Sequence, residues 1–305
     1  MKHLLTLEQL SPATIAKIFD LAKELKAARG KSPAAPLKGQ TWALIFNKAS
    51  TRTRVSFEVG IQELGGASLY LSATDIQMGR GETIADTARV LSRYVHGVVI
   101  RTFAQSDVEE FASAGTMPVI NGLTDNEHPC QVLADLFTIS EKLGSLKGRK
   151  VVFAGDGACN VCNSWLFGAA KTGMELWVAA PKQFQPGQDW LARADGNIHV
   201  TEDFAAAVRD ADVVYTDVWV SMGKETESAA RLKTLAPYQI NDKVLKAAKP
   251  GALVMHCLPA YRGKEITGEV FAAHQQTIFD QAENRLHIQK AILLLLAQAR
   301  DNSSQ

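Results

Sequence analysis

Cysteine is scarce in this sequence, and the scarcity excludes a class of folds. Four cysteines, at 130, 159, 162 and 257, in 305 residues are too few and too irregularly spaced for a disulfide framework, so a reducing compartment is expected. Long apolar runs are missing too. The longest, Ala291 to Ala297, falls far short of the roughly 20 residues that a membrane-spanning helix needs. Met1 to Arg29 carries no signal-peptide core. Nor is there an excess of one charge: 33 basic residues stand against 32 acidic ones, so bulk electrostatics draw the chain neither to nucleic acid nor to a membrane. No repeat at solenoid spacing and no low-complexity tract occurs, apart from a polar tail at Asp301 to Gln305. The expectation is a cytoplasmic protein whose charge chemistry is local.

What is present is apolar residue content of 46%, enough for well-formed cores in two domains of ordinary size. Short β-branched or apolar stretches alternate with longer helical patterns, which predicts α/β architecture with parallel sheets. In the first half the strands are expected at Trp42 to Phe46, Ala67 to Leu71, Gly97 to Arg101 and Pro118 to Asn121. In the second they are expected at Lys150 to Ala154, Glu175 to Ala179, Val213 to Thr216 and Ala252 to His256. The fold class is therefore α/β with two domains, each a parallel sheet flanked by helices, joined by interdomain helices. The turn-rich Gly144 to Gly148 follows a helical Leu133 to Leu143 and places the boundary near residue 144. A last helix, from about Ala282 to Arg300, is too apolar to lie on a surface and is expected to pack against the first domain. The domains are then 1–143, completed by a helix at 285–305, and 144–284.

Ser50-Thr51-Arg52-Thr53-Arg54 lies between an apolar strand and a helical pattern. Hydroxyls, unpaired amides and two guanidinium groups at a helix start favour an anion, and phosphate is the natural one. Ser50 or Thr51 as an ordinary N-cap explains the same residues equally well, except that two cations in a first turn oppose the helix dipole. Val151 to Asn160 imitates a dinucleotide fingerprint, but Asn160 stands in place of the third glycine and no ribose-binding acid follows Glu175 to Ala179. Cys159 and Cys162 have CxxC spacing with no second pair, which favours helix-start packing over zinc or redox chemistry.

Three further places follow strands, where α/β sheets bind ligands. His128 and Gln131 straddle a proline helix start and could address one carbonyl group. Asp217 leads into Ser221-Met222-Gly223, able to grip an amine and a carboxylate; an ordinary loop is as good a reading. Cys257 in His256-Cys257-Leu258-Pro259 reads by itself as inert packing. Arg101, at a strand's carboxyl edge, and Arg285, at the start of the apolar last helix, suit an anion or a structural ion pair.

In this order the motifs resemble the aspartate/ornithine carbamoyltransferase family, on its ornithine branch. The resemblance spans nearly the whole chain, since Asn121 to Asp125 and Ala282 to Arg285 match as well. It implies that Ser50, Thr51, Arg52 and Thr53 hold the phosphate of carbamoyl phosphate, assisted by Arg101. It also implies that Arg101, His128 and Gln131 contact the carbamoyl group, with Cys257, Leu258 and Arg285 completing that pocket. Gln77 looks like the residue that family trimers insert into a neighbouring subunit's site, so a homotrimer or a multiple of trimers is implied. Asn160, Asp217, Ser221 and Met222 would bind the amino-acid end of L-ornithine, with Asp217 and Cys257 beside the reacting δ-amine. Arg101, His128, Asp217 and Cys257 are thus the expected catalytic residues, with no cofactor and no metal. Cys159 departs from the pattern, since many relatives carry two consecutive asparagines where this chain has Cys159-Asn160. Aspartate enzymes read His-Pro-Leu-Pro where this chain has His256 to Pro259, which favours ornithine. N-acetylornithine, putrescine and a non-catalytic phosphometabolite binder are the alternatives.

Overall fold

The computed structural model describes residues 1–31, 35–72, 76, 81–220 and 228–303. The chain forms two compact units, one from Met1–Ala134 with Asn284–Gln305 and the other from Asp135–Glu283.

In the first unit, α1 (Pro12–Ala27) starts where Ser11 Oγ accepts the Thr14 amide and proline fills the first turn, and it buries Ile15, Ile18 and Ala22. The sheet comprises β1 (Thr41–Phe46), β2 (Ala67–Ser72), β3 (Gly97–Arg101) and β4 (Val119–Leu123), in spatial order β2-β1-β3-β4 and parallel throughout. Helices α2 (Thr51–Glu63), α3 (Ile84–Leu91) and α4 (Gln105–Ala114) supply the crossovers. β1 and β3 are central and read as unbroken apolar runs because both faces are covered, whereas β2 is an outer strand with exposed positions. Ala43, Ile45, Val98 and Ile100 pack against Ala88, Val108, Phe111 and Met117. Burying a side chain such as Phe111 stabilises the fold by roughly 1.5 to 3 kcal/mol.

The helix α5 (Pro129–Leu143) starts in the first unit and ends in the second. The second sheet holds β5 (Lys150–Ala154), β6 (Glu175–Ala179), β7 (Asn197–Thr201), β8 (Val213–Thr216) and β9 (Leu253–His256), in order β7-β6-β5-β8-β9 and again all parallel. Between them run α6 (Asn160–Thr172), α7 (Gln188–Arg193), α8 (Phe204–Val208), α9 (Ser228–Leu235) and α10 (Asp242–Leu245). Val152, Ala154, Val214 and Val254 form a core with Phe204, Val208, Tyr238 and Ile278. β7 is a fifth strand where the sequence suggests four; it is an outer strand with no buried residue, so only Ile198 and Val200 mark it.

The last helix, α11 (Gly268–Ser303), is longer than its apolar part suggests. It begins where Thr267 Oγ1 accepts the Val270 amide, and its polar first half hides it from a reading based on apolar periodicity. From Asn284 onward it belongs to the first unit. Among the described residues no helix is long and apolar enough to cross a membrane.

Candidate active site

Each sheet has one place where consecutive crossovers leave in opposite directions, and loops at the carboxyl ends there form a natural crevice. In the first sheet that place lies between β1 and β3, and the anion-cradle residues occupy it. Ser50 caps α2: its backbone is extended and its Oγ accepts the Thr53 amide at 3.2 Å. Cap and cradle are therefore not alternatives, because capping leaves first-turn amides available and the first turn holds no acidic residue. Thr51 and Arg52 are exposed at that helix start, while Thr53 is buried.

The two arginines of the motif part company. Arg54 Nε pairs with Glu58 Oε1 at 3.0 Å, and the guanidinium lies 3.5 Å from the centre of the Tyr70 ring. Its charge is answered within the fold, contrary to the expectation that both arginines serve an anion. Arg52 instead lies within electrostatic reach of Arg101 and His128.

Arg101 ends β3 beside Phe46 of β1, is only 8% exposed, and its Nε has no hydrogen-bond partner among the described residues. Burial, reinforced by the charges of Arg285 and Arg52, lowers its pKa to about 10. His128 immediately precedes α5 and is 5% exposed. Burial first, then Arg285, Arg101 and Arg52, hold its imidazole well below the ordinary histidine pKa, so it is neutral at pH 7. Arg285, in the interior of α11 rather than at its start, donates through Nη1 to Gln131 Oε1 at 2.9 Å and through Nη2 to Thr53 Oγ1. Three guanidinium groups around a neutral imidazole make a field that favours a multiply charged anion, with a hydrogen-bond donor set for a carbonyl oxygen.

In the second sheet the switch lies between β5 and β8. Gly155, after β5, has φ 114, and a Cβ there would sit 2.6 Å from Trp219 Nε1, so only glycine fits. Asn160 opens α6 behind Cys159, whose sulfur accepts the Cys162 amide at 3.4 Å. Both cysteines are buried and free, with thiol pKa values pushed well above the ordinary range by burial. They pack a helix start.

Asp217 follows β8 and Cys257 follows β9, and the parallel pairing of Thr216 with His256 sets them side by side. The Cys257 thiol donates to Asp217 Oδ1 at 2.8 Å, and the Val218 amide donates to the same oxygen at 2.7 Å. Burial raises the pKa of Asp217, against the lowering pull of His256, Cys257 and Val218. Burial, then the Asp217 charge, pushes the Cys257 thiol well up, so it stays protonated. Leu258 has φ 60, a left-handed backbone that costs a leucine of order 1–3 kcal/mol. Its amide donates to His256 Nδ1 at 2.9 Å, His256 Nε2 donates to Glu265 Oε1 at 3.0 Å, and that same oxygen accepts the Tyr261 amide at 2.6 Å.

Asp217, His256 and Cys257 present possible ligand atoms within 4.8 Å of one another. Both ring nitrogens of His256 are nevertheless engaged and the thiol is protonated, so the trio is not arranged to receive a cation.

Gln77, Ser221 and Met222 lie outside the described residues. Sequence reasoning passed over Lys48, buried two residues before Ser50, which pairs with Asp125 and lies 4.3 Å from the centre of the Phe103 ring. A lysine beside a cradle was a visible signal. Glu265 gave none, because its partners are set only by the turn of the chain.

Two family models match the chain, one over each half. Residues 2–141 match the carbamoyl-P binding domain model of the aspartate/ornithine carbamoyltransferases, and residues 147–296 match their Asp/Orn binding domain model. An ornithine carbamoyltransferase of Akkermansia muciniphila is 53% identical over 303 residues, 98% of this chain and 99% of the relative. One from Archaeoglobus fulgidus is 51% identical over 300 residues, 97% of each. The solved ornithine carbamoyltransferase from Pyrococcus furiosus superposes with a TM-score of 0.92 at 48% identity, covering 97% of each chain. The anabolic enzyme from Campylobacter jejuni gives 0.92 at 42%, covering 98% of this chain and 100% of its own. With both domain models matched and near-complete relatives at this identity, the chain belongs to the aspartate/ornithine carbamoyltransferase family.

Proposed function

We propose that this protein transfers the carbamoyl group of carbamoyl phosphate to the δ-amine of L-ornithine, giving L-citrulline and phosphate in arginine metabolism. The observation that carries the reading is the cluster of Arg52, Arg101 and Arg285 around the neutral His128. The acceptor is taken from the relatives named above and from the Asp217–Cys257 pair.

In this reading the phosphate rests on Ser50, Thr51, Arg52 and Thr53 at the start of α2, with Arg101 at its edge. Arg101, His128, Gln131 and Arg285 address the carbamoyl group, and a neutral imidazole suits this task because it can donate to a carbonyl oxygen without adding to the cation repulsion. Asn160, Asp217, Ser221 and Met222 take the amino acid, Leu258 offers its carbonyl oxygen, and Gln77 reaches from a neighbouring subunit. The δ-amine has an ordinary pKa of about 10.4, so well under ~1% is free base at pH 7. The Asp217 carboxylate favours the ammonium form on arrival, and one proton passes from the ammonium group to solvent before attack. The amine nitrogen then bonds to the carbonyl carbon, the oxyanion forms among the cationic donors, and the bond from carbon to the phosphate oxygen breaks. The second amine proton leaves on the departing phosphate.

Citrulline formation by the purified protein, with aspartate and putrescine as control acceptors, tests the reading. Turnover of ornithine alone is expected; turnover of aspartate in its place would overturn the acceptor assignment.

The assembly in this reading is a homotrimer or a multiple of trimers. Val55 on α2 and Leu69 on the outer strand β2 are each 49% exposed, and apolar side chains there suit contact with further copies. Light scattering that returns a monomer would overturn it. The setting in this reading is the cytoplasm, in keeping with four buried free cysteines.

A further inference from the structure

We propose that Gln281, oriented by Asp135, is a positioning residue that fixes the Cys257–Asp217 pair for the incoming amine; the proposal rests on the carbamoyl-transfer reading. β9 is an outer strand, and among the described residues β8 is its only strand neighbour. At its last residue, His256, the backbone amide donates to a side chain, Gln281 Oε1, at 2.9 Å. Gln281 thus stands in for a missing strand neighbour at the point where the chain leaves the sheet and turns into Cys257 and Leu258.

The direction of the Gln281 amide group is dictated from the other side. Its Nε2 donates to Asp135 Oδ1 at 2.7 Å and to the Tyr215 hydroxyl at 3.4 Å. An ionised carboxylate accepts and cannot donate, so Asp135 draws the NH2 group toward itself and leaves the oxygen for His256. Tyr215 is hydrogen-bonded to Asp135 as well, and burial followed by the Asp135 charge keeps its hydroxyl protonated. Gln281, Asp135 and Tyr215 are all fully buried.

The reach of this one side chain is what matters. Tyr215 of β8 precedes Asp217 by two residues, and His256, the last residue of β9, directly precedes Cys257. Gln281 therefore touches the residue before Cys257 and the residue two before Asp217, on the two strands that lead into the 2.8 Å contact between Cys257 Sγ and Asp217 Oδ1. Core filling alone does not ask for glutamine here, since methionine occupies a similar volume without burying an amide. The His256 amide belongs to the peptide joining Met255 to His256, so a rotation of that peptide would shift His256 and carry the following Cys257 thiol off the carboxylate, and displacements of about 1 Å at a reacting centre cost on the order of a hundredfold in rate.

The test combines two readouts on the full chain. Gln281→Met removes both bonds at near-constant volume. Gln281→Glu keeps an oxygen for the His256 amide and can share a proton with Asp135. Asp135→Asn relaxes the orientation without emptying the site. Expected for Gln281→Met are a fall in kcat for citrulline of about tenfold to a hundredfold, an unchanged KM for carbamoyl phosphate, and faster alkylation of Cys257 by iodoacetamide, followed by mass spectrometry. Gln281→Glu should restore most of both, and Asp135→Asn should shift both in the direction of Gln281→Met but less. A wild-type kcat and wild-type alkylation rate in Gln281→Met would overturn the proposal. So would losses in Gln281→Glu as large as in Gln281→Met, tracking thermal stability, because they would mark a merely structural residue. If wild type makes no citrulline while Gln281→Met still frees Cys257 for alkylation, the function reading fails and the positioning role stands.

Discussion

A guanidinium in the first turn of a helix opposes the dipole unless something answers its charge, and the arginines of Ser50 to Arg54 answer it differently. Arg54 is satisfied by Glu58 and the Tyr70 ring, whereas Arg52 adds its charge to those of Arg101 and Arg285 around His128. Arg52→Ala should therefore weaken phosphate binding by about tenfold to a hundredfold, the equivalent of one charge-assisted hydrogen bond. Arg54→Ala should leave it nearly unchanged. Isothermal titration with inorganic phosphate compares the two, and equal losses would contradict the division of labour. The same logic separates Cys257 from Asp217. The thiol is a protonated donor to the carboxylate, so Cys257→Ser, which keeps a donor, should retain much of the turnover. Asp217→Asn removes the only charge of the pair and should abolish most of it; a Ser variant as inactive as the Asn variant would show that the sulfur does more than donate to the carboxylate.

At the scale of elements, the central strands could be read from the sequence because both faces are covered and the runs are apolar without a break. Outer strands could not be read so well. β7 shows only Ile198 and Val200 between polar neighbours, and it exists because β6 offers it an edge. The position of Ser50, Arg101, Asp217 and Cys257 at strand ends was legible for the same reason as the strands. Contacts between distant parts of the chain were not: Glu265, Asp135 and Gln281 sit in stretches with no motif, and their roles follow from which segments the topology brings together. Arg285 lies between the two cases, a visible residue whose place inside a 36-residue helix was hidden by the polar first half of α11. Its fork bonds Gln131 of α5 and Thr53 of α2 at once, which a lysine cannot reproduce. Arg285→Lys should keep the charge but raise the KM for carbamoyl phosphate about tenfold or more, with a small loss of thermal stability. Steady-state kinetics at fixed ornithine decides it, and an unchanged KM would show that only the charge matters.

For the molecule as a whole, acid should be the adverse direction, and the reason is spread over the fold. His128 is held well below the ordinary histidine value by burial and by three arginines. His3 is lowered to about 4 by burial and then by Lys2, and His274 is lowered by burial. Each is a base whose folded pKa is depressed, so between the ordinary value of 6.5 and the folded value the unfolded chain binds more protons. Stability is then insensitive to these groups above about pH 6.5 and is lost as pH falls from there toward 4. Asp217 works the other way: its raised pKa lets the folded state take up a proton before the unfolded chain does, offsetting part of the loss between its raised value and the ordinary 3.8. Phosphate bound among Arg52, Arg101 and Arg285 would cancel much of the repulsion at His128 and raise its pKa. The same anion would stabilise the fold by mass action, by about 2.7 kcal/mol at a hundred times its dissociation constant. Urea unfolding at pH 8, 7, 6 and 5, with and without saturating phosphate, should show a flat upper limb and a falling lower limb that phosphate makes shallower. His128→Gln should reduce the slope of that limb in the absence of phosphate and remove most of phosphate's effect on it. A lower limb that phosphate leaves at the same slope would mean that His128 does not feel the anion, and that the cation cluster around it is not where phosphate binds.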